Sequence, residues 1–163
     1  MNEIQKTEYL LAPGYIILPE EPMLIYMILG SCVAVIVFNR KVNTVGCCHF
    51  IKPRPPSNAD PRPIYGSVAV ATLIKLMLGK GGTIRDLEAQ VIGGSDMTGR
   101  TIGKENADTA MQILSKRGVH IASKDIGGDK GRKVIFNSDN NNLAVIKVDK
   151  IRSDDWYPEE DNI

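Results

Sequence analysis

Apolar positions in the first third of the chain run together rather than alternating. Residues 23–38, MLIYMILGSCVAVIVF, carry no charge. A short apolar run rich in β-branched residues reads as strand buried on both faces. Gly30-Ser31 splits it into two strands, 24–29 and 32–38, meeting at a sharp bend. A spanning helix needs about 20 apolar residues, and this run is shorter and interrupted. Upstream, residues 9–18 alternate weakly around Pro13-Gly14, which predicts strand pieces and a turn. Downstream, NRKVN is a polar break, and TVGCCHFI (44–51) reads as the returning strand.

The pattern then changes period. PRPPSNADPRP (53–63) holds five of the nine prolines. Proline neither donates to a ladder nor continues a helix, so this is an irregular surface loop. SVAVATLIKLML (67–78) predicts a mostly apolar helix with Ser67 as N-cap and Gly79, Gly81 and Gly82 as its stop. LEAQVI (87–92) reads as a strand ending in GGSDMTG. A second helix is predicted over 102–117, where Ala107, Ala110, Met111 and Leu114 form one apolar face. Lys116 and Arg117 suit its last turn, and Gly118 its exit. VHIASKDI (119–126) is another strand, beginning near His120, which reads as structural. KVIFN and LAVIKV, joined by SDNNN, predict a C-terminal hairpin. Strands outnumber helices and the helices are separated, so the expected class is α+β, or mixed α/β. Residues 1–150 are expected to form one domain, with 151–163 as an acidic, flexible tail whose Trp156 and Tyr157 could dock on another surface.

Composition narrows the function classes. The 163 residues carry 20 Lys and Arg against 19 Asp and Glu, a net charge of +1, so no basic field points to nucleic acid. The three cysteines, Cys32, Cys47 and Cys48, are odd in number in a chain of ordinary size. That fits a reducing cytoplasm better than a disulfide scaffold. The N-terminus has no basic region followed by an apolar stretch, so no signal peptide is expected.

The candidate chemistry lies at LGSCVAV (29–35). If 32–38 and 43–49 form a hairpin closing around Arg40-Lys41, Phe38 faces Asn43 and Cys32 faces His49. Directly opposite residues have Cβ atoms roughly 4.5–5.5 Å apart. An adjacent imidazole can lower a thiol's pKa and generate the nucleophilic thiolate. The Gly30-Ser31 bend can aim backbone N–H groups outward as an oxyanion hole. Nucleophile, base and oxyanion donors are the minimum kit for acyl transfer. Against this stands the ordinary role of a buried cysteine as a small hydrophobe. Cys47 shares a face with His49, but no fourth ligand and no metal-binding spacing accompanies Cys32, Cys47 and His49, so no metal is expected. GGSDMTGRTIG lacks the phosphate-loop and dinucleotide patterns and reads as tight turns before a helix.

LGSCVAV, His49 17 residues after the cysteine, GGSDM, IGKEN and DIGGDKGRKVIFN, in this order, resemble the chemoreceptor glutamine deamidases (CheD) over roughly residues 10–148. The resemblance implies mixed β-sheets with helices outside, like the fold of the cytotoxic necrotizing factor toxins. It implies a cytoplasmic chemotaxis protein that hydrolyses glutamine carboxamides in the helical cytoplasmic part of chemoreceptors. The membrane would be met only through those receptors. No cofactor is implied, and a CheC-type phosphatase is an implied partner. Cys32 would be the nucleophile, His49 the base, and backbone N–H groups near Gly30 and Ser31 the oxyanion donors. The family's catalytic threonine lies six residues before the cysteine, where this chain has Tyr26. Tyrosine keeps a hydroxyl but carries it farther from the backbone. Ser67 stands where family members often have aspartate. Two other readings stay open: a non-enzymatic module of the same fold that regulates a receptor or phosphatase by docking, and an unrelated cysteine hydrolase whose cleft is lined by the proline-rich loop.

Overall fold

The computed structural model describes residues 6–152. The chain runs β1 (Thr7–Leu10), β2 (Tyr15–Ile17), β3 (Met23–Leu29), β4 (Val33–Asn39), β5 (Thr44–Phe50), α1 (Gly66–Leu78), β6 (Leu87–Gly93), α2 (Ile102–Arg117), β7 (His120–Ile126), β8 (Gly131–Asn137) and β9 (Asn142–Val148), with a one-turn 3₁₀ helix at Ile84–Asp86 before β6. The strands form two mixed sheets, ordered β1-β3-β8-β9 and β2-β5-β4-β6-β7. The class is α+β, with both helices on one face of the five-stranded sheet. Trp156 and Tyr157 lie outside the described residues.

Strand alternation places two cores on either side of that sheet. Val33, Val35 and Val37 of β4 point to one face, where Ala69, Leu73 and Met77 of α1 and Ala107, Ala110 and Leu114 of α2 cover them. Cys32, Ala34 and Ile36 belong to the other face and meet Ile25, Met27 and Leu29 of β3 and Phe136 of β8 across the gap between the sheets. β4 is therefore buried on both sides, which is why its sequence is uninterrupted in apolar residues rather than alternating. The bend at Gly30-Ser31 carries the chain from one sheet to the other. No helix among the described residues is long and apolar enough to cross a membrane.

Two local expectations need correction. The β4–β5 hairpin pairs two positions further along β5 than expected: Asn39 pairs with Thr44 and Phe38 with Val45, and Ala34, not Cys32, stands opposite His49. The loop takes four residues because Asn43 adopts a left-handed conformation (φ 52°) and the Asn39 side chain accepts the Lys41 N–H at 3.1 Å, an Asx turn that competes with a two-residue closure. A shift of two positions preserves the face, so Cys32 and His49 remain on the same side of the sheet as diagonal neighbours. Second, Ser67 is not the N-cap of α1. The helix begins at Gly66 after an uncapped Tyr65. Its first N–H groups, from Gly66 and Ser67, donate to the carbonyls of Lys52 (2.7 Å) and Pro53 (2.9 Å), so the proline-rich loop satisfies the helix start in place of a side chain.

Candidate active site

The site is assembled at the open end of the β4–β5 hairpin. Their ladder ends at Val33–Phe50, and beyond it the two chains diverge. Cys32 lies just past the end of the ladder. Its carbonyl accepts the Gly94 N–H at 2.8 Å, and the Gly30 carbonyl accepts the Ser95 N–H at 3.0 Å. A strap formed by Gly93, Gly94 and Ser95 thus holds both sides of the nucleophile bend. The approach is too close for any side chain at Gly93: a Cβ there would lie 2.3 Å from the Cys32 oxygen, on a backbone with φ +110°.

A second loop supports the strap. The Gly93 carbonyl accepts the Gly127 N–H at 3.0 Å, and the Asp96 N–H reaches the Gly128 carbonyl at 2.7 Å. Arg132 of β8 is 2% exposed. Its guanidinium bonds Asp125 (3.0 Å), the Gly127 carbonyl (3.0 Å) and the Gly93 carbonyl (3.4 Å). A buried cation needs such acceptors, and here they serve the two terminal nitrogens while Nε stays unpaired. DIGGDKGR therefore acts as scaffolding: it braces the turn that braces Cys32.

His49 is fully buried, and its Nδ1 lies 2.8 Å from the Leu11 carbonyl. A carbonyl only accepts, so Nδ1 carries the proton and the lone pair sits on Nε2. That Nε2 is buried and has no hydrogen-bond partner. Burial lowers the His49 pKa to about 4, so the ring is a neutral base through the physiological range. Cys32 is 8% exposed. Burial pushes its thiol pKa up, opposed by backbone hydrogen bonding at Gly30 and at Cys32 itself. The expected lowering of the thiol pKa by the imidazole is thus not the direction found. A neutral, desolvated ring supplies no charge to stabilise a thiolate, so the resting pair is thiol and free base.

Cys32 opens onto a cleft of about 500 Å³ whose walls include Pro13, Ile51, Pro53, Tyr65 and Ile102, with Lys52 and Arg54 as its cations. Ser31 lines the cleft beside the cysteine, while His49 is fully buried and is not one of its walls. Cys47 and Cys48 are fully buried in mid-strand, and desolvation pushes both thiols up strongly. Among the described residues, no group of three or more His, Cys, Asp or Glu is placed to hold a metal.

Tyr26 is not brought to this site. Ile25 and Met27 on either side of it enter the core between the sheets. Alternation turns Tyr26 outward, where its hydroxyl donates to Glu8 at 3.2 Å. Position 26 contributes through its backbone instead. The Tyr26 carbonyl accepts the Leu11 N–H at 2.9 Å, fixing the residue whose own carbonyl orients His49.

The sequence reading missed Arg132 and the Leu11 carbonyl. For Arg132 a signal was present: an arginine in a strand whose neighbours Val134 and Phe136 enter a core. Leu11 acts through an atom every residue has, so no side-chain pattern could reveal it.

A family model described as "CheD chemotactic sensory transduction" matches residues 52–147, C-terminal to Cys32 and His49. The chain is 30% identical over 149 residues to the probable chemoreceptor glutamine deamidase CheD 2 of Geobacter sulfurreducens, an alignment covering 88% of this chain and 92% of that one. It is 32% identical over 135 residues to the probable chemoreceptor glutamine deamidase CheD of Sulfurimonas denitrificans, covering 79% and 86%. Among solved structures, the Bacillus licheniformis hypothetical protein YfiH superposes with a TM-score of 0.44 at 10% identity, over 65% of this chain and 46% of that chain.

Proposed function

The chain belongs to the CheD family, and on that premise we propose that it is a protein-glutamine deamidase acting on chemoreceptors, with Cys32 as nucleophile and His49 as base. The observation that carries the reading is the His49 ring: Nδ1 is committed to the Leu11 carbonyl and Nε2 is buried, unpartnered and neutral. An unpaired buried nitrogen costs stability. That nitrogen lies on the same face of the sheet as Cys32 and is free to accept a proton.

His49 Nε2 takes the thiol proton as Cys32 Sγ attacks the side-chain amide carbon of glutamine. Backbone N–H groups of the Gly30-Ser31-Cys32 turn donate to the resulting oxyanion. As the intermediate collapses, the C–N bond breaks and ammonia leaves with the proton from Nε2, giving a thioester on Cys32. His49 then deprotonates water, the hydroxide adds to the thioester carbon, the C–S bond breaks and the thiol is reprotonated. Glutamine and water become glutamate and ammonia, with no oxidant or cofactor in the balance. The protein would work in the cytoplasm on receptor helices, and a CheC-type phosphatase would bind it as partner.

The test is mass spectrometry of a chemoreceptor cytoplasmic fragment from the same organism. Wild type is expected to add about 1 Da at defined glutamines, NH₂ exchanged for OH, with no gain from Cys32→Ala or His49→Ala. Tight binding of the fragment by wild type without any mass gain would replace catalysis by docking.

A further inference from the structure

We infer that Asn106 is a positioning residue for the Cys32–His49 pair, tying the turn that carries the nucleophile to the strand that carries the base. Asn106 is fully buried on α2. Its Nδ2 donates to the Ser31 carbonyl at 2.9 Å and to the Ile51 carbonyl at 3.0 Å. Ser31 immediately precedes Cys32, and Ile51 lies two residues beyond His49. The β4–β5 ladder stops at Val33–Phe50, and the Ile51 N–H turns away to the Ile64 carbonyl. Where the next rung would join residues 32 and 51, one carboxamide spans the two chains instead. A carboxamide is suited to this because its NH₂ has two protons for two carbonyl acceptors.

The surroundings are shaped to bring it there. Gly103 sits one helical turn before Asn106, on the same face of α2. A Cβ at Gly103 would meet the Ser95 and Gly94 carbonyl oxygens at 2.3 and 2.7 Å. Glycine therefore lets the first turn of α2 rest directly on the strap beneath Cys32, and the close approach puts a side chain as short as asparagine within reach of both carbonyls. Its Oδ1 is left buried without a partner. Asparagine is a poor residue for a helix interior, and burying it half-satisfied is costly. IGKEN is thus read as a clamp: Gly103 for approach, Asn106 for the tie.

The inference rests on the reading of Cys32 and His49 as nucleophile and base. It is tested without receptor, by alkylating the full-length protein with iodoacetamide and following Cys32 by peptide mapping as a function of pH. Wild type, His49→Gln, Asn106→Ala and Leu114→Ala are compared, the last being a buried truncation on the same helix. The wild-type profile is expected to contain a His49-dependent component that His49→Gln removes. Asn106→Ala loses the same component, a drop of roughly tenfold or more, while Leu114→Ala keeps it despite its lost stability. A wild-type profile equal to that of His49→Gln overturns the nucleophile–base reading. A His49-dependent profile retained in Asn106→Ala overturns the positioning role alone. If Asn106→Ala does not fold, the wild-type protein decides by NMR: both Asn106 Nδ2 protons should exchange slowly, and exchange as fast as an exposed asparagine's overturns the clamp.

Discussion

The β4–β5 ladder is closed at both ends by the same device, and the two ends differ in what is left over. At the loop end, the fully buried Asn39 donates through Nδ2 to the Met77 carbonyl (3.1 Å) and the Gly81 carbonyl (2.8 Å), and its Oδ1 accepts the Lys41 N–H. Every polar atom of that side chain is paired. At the open end, Asn106 makes the matching pair of bonds to Ser31 and Ile51, but its Oδ1 is unpartnered. His49 Nε2, Ser95 Oγ of the strap and Nε of Arg132, which braces the strap, are also buried and unpaired. The loop end adds Thr44 Oγ1 alone to the unpaired buried side-chain atoms among the described residues. A fold that leaves most of its unpaired buried atoms at one end of a ladder is carrying a cost where function needs free donors and acceptors.

Four tests break or sharpen that contrast. Gly93→Ala should be the most damaging. It forces a Cβ against the Cys32 oxygen on a left-handed backbone and should cost about 4 kcal/mol by denaturant unfolding, with loss of Cys32 reactivity. Gly99→Ala, also left-handed but with open space around it, should cost about 1 kcal/mol. The second concerns pH. An unfolded imidazole protonates near 6.5 and the buried His49 near 4. Between these values the unfolded chain binds the extra proton, so stability is full above pH 6.5 and falls as the pH drops towards 4, by about 3 kcal/mol in all. Chemical denaturation across that window should show the loss in wild type and not in His49→Gln. For the same reason, activity should not fall as the pH passes through 6.5. Third, Asn39→Ala should cost about 2 kcal/mol in denaturant stability and leave the rate of Cys32 alkylation unchanged, because it unties the wrong end. Tyr26→Phe should do least. It removes an exposed hydroxyl bonded to Glu8 and should shift stability by less than about 0.5 kcal/mol without altering deamidation. A large activity loss there would give the tyrosine hydroxyl a role its placement does not provide.

These elements also show what the sequence makes legible. Long periodic segments are clear: α2 spans the predicted 102–117, because an apolar stripe with a basic last turn and Gly118 in the left-handed conformation leaves little alternative. β4 is clear because burial on two faces makes it apolar from Val33 to Phe38. The hairpin register was read two positions off, because Asn39 and Asn43 shape a four-residue loop through local hydrogen bonding that an alternation pattern does not contain. The candidate pair Cys32 and His49 was legible as a shared face but not as an electrostatic state. The depressed imidazole and raised thiol come from burial between two sheets, a tertiary property. The helix start at Gly66 was misread for a related reason: its N–H groups are satisfied by carbonyls of a proline-rich loop that is distant in pattern though near in sequence. The motifs GGSDM, IGKEN and DIGGDKGR were visible as strings. Their common purpose, holding one bend, depends on backbone atoms that come together only in the fold.

The central claim is a covalent one, that glutamine is deamidated through a thioester on Cys32. It is tested most directly by mixing the protein with excess receptor peptide, quenching in acid at early times and mapping the digest by mass spectrometry. The account predicts that the Cys32 peptide gains the mass of the substrate less ammonia, about 17 Da, that no such adduct forms on Cys47 or Cys48, and that Cys32→Ala forms none and releases no ammonia. Deamidation that continues in Cys32→Ala would contradict it.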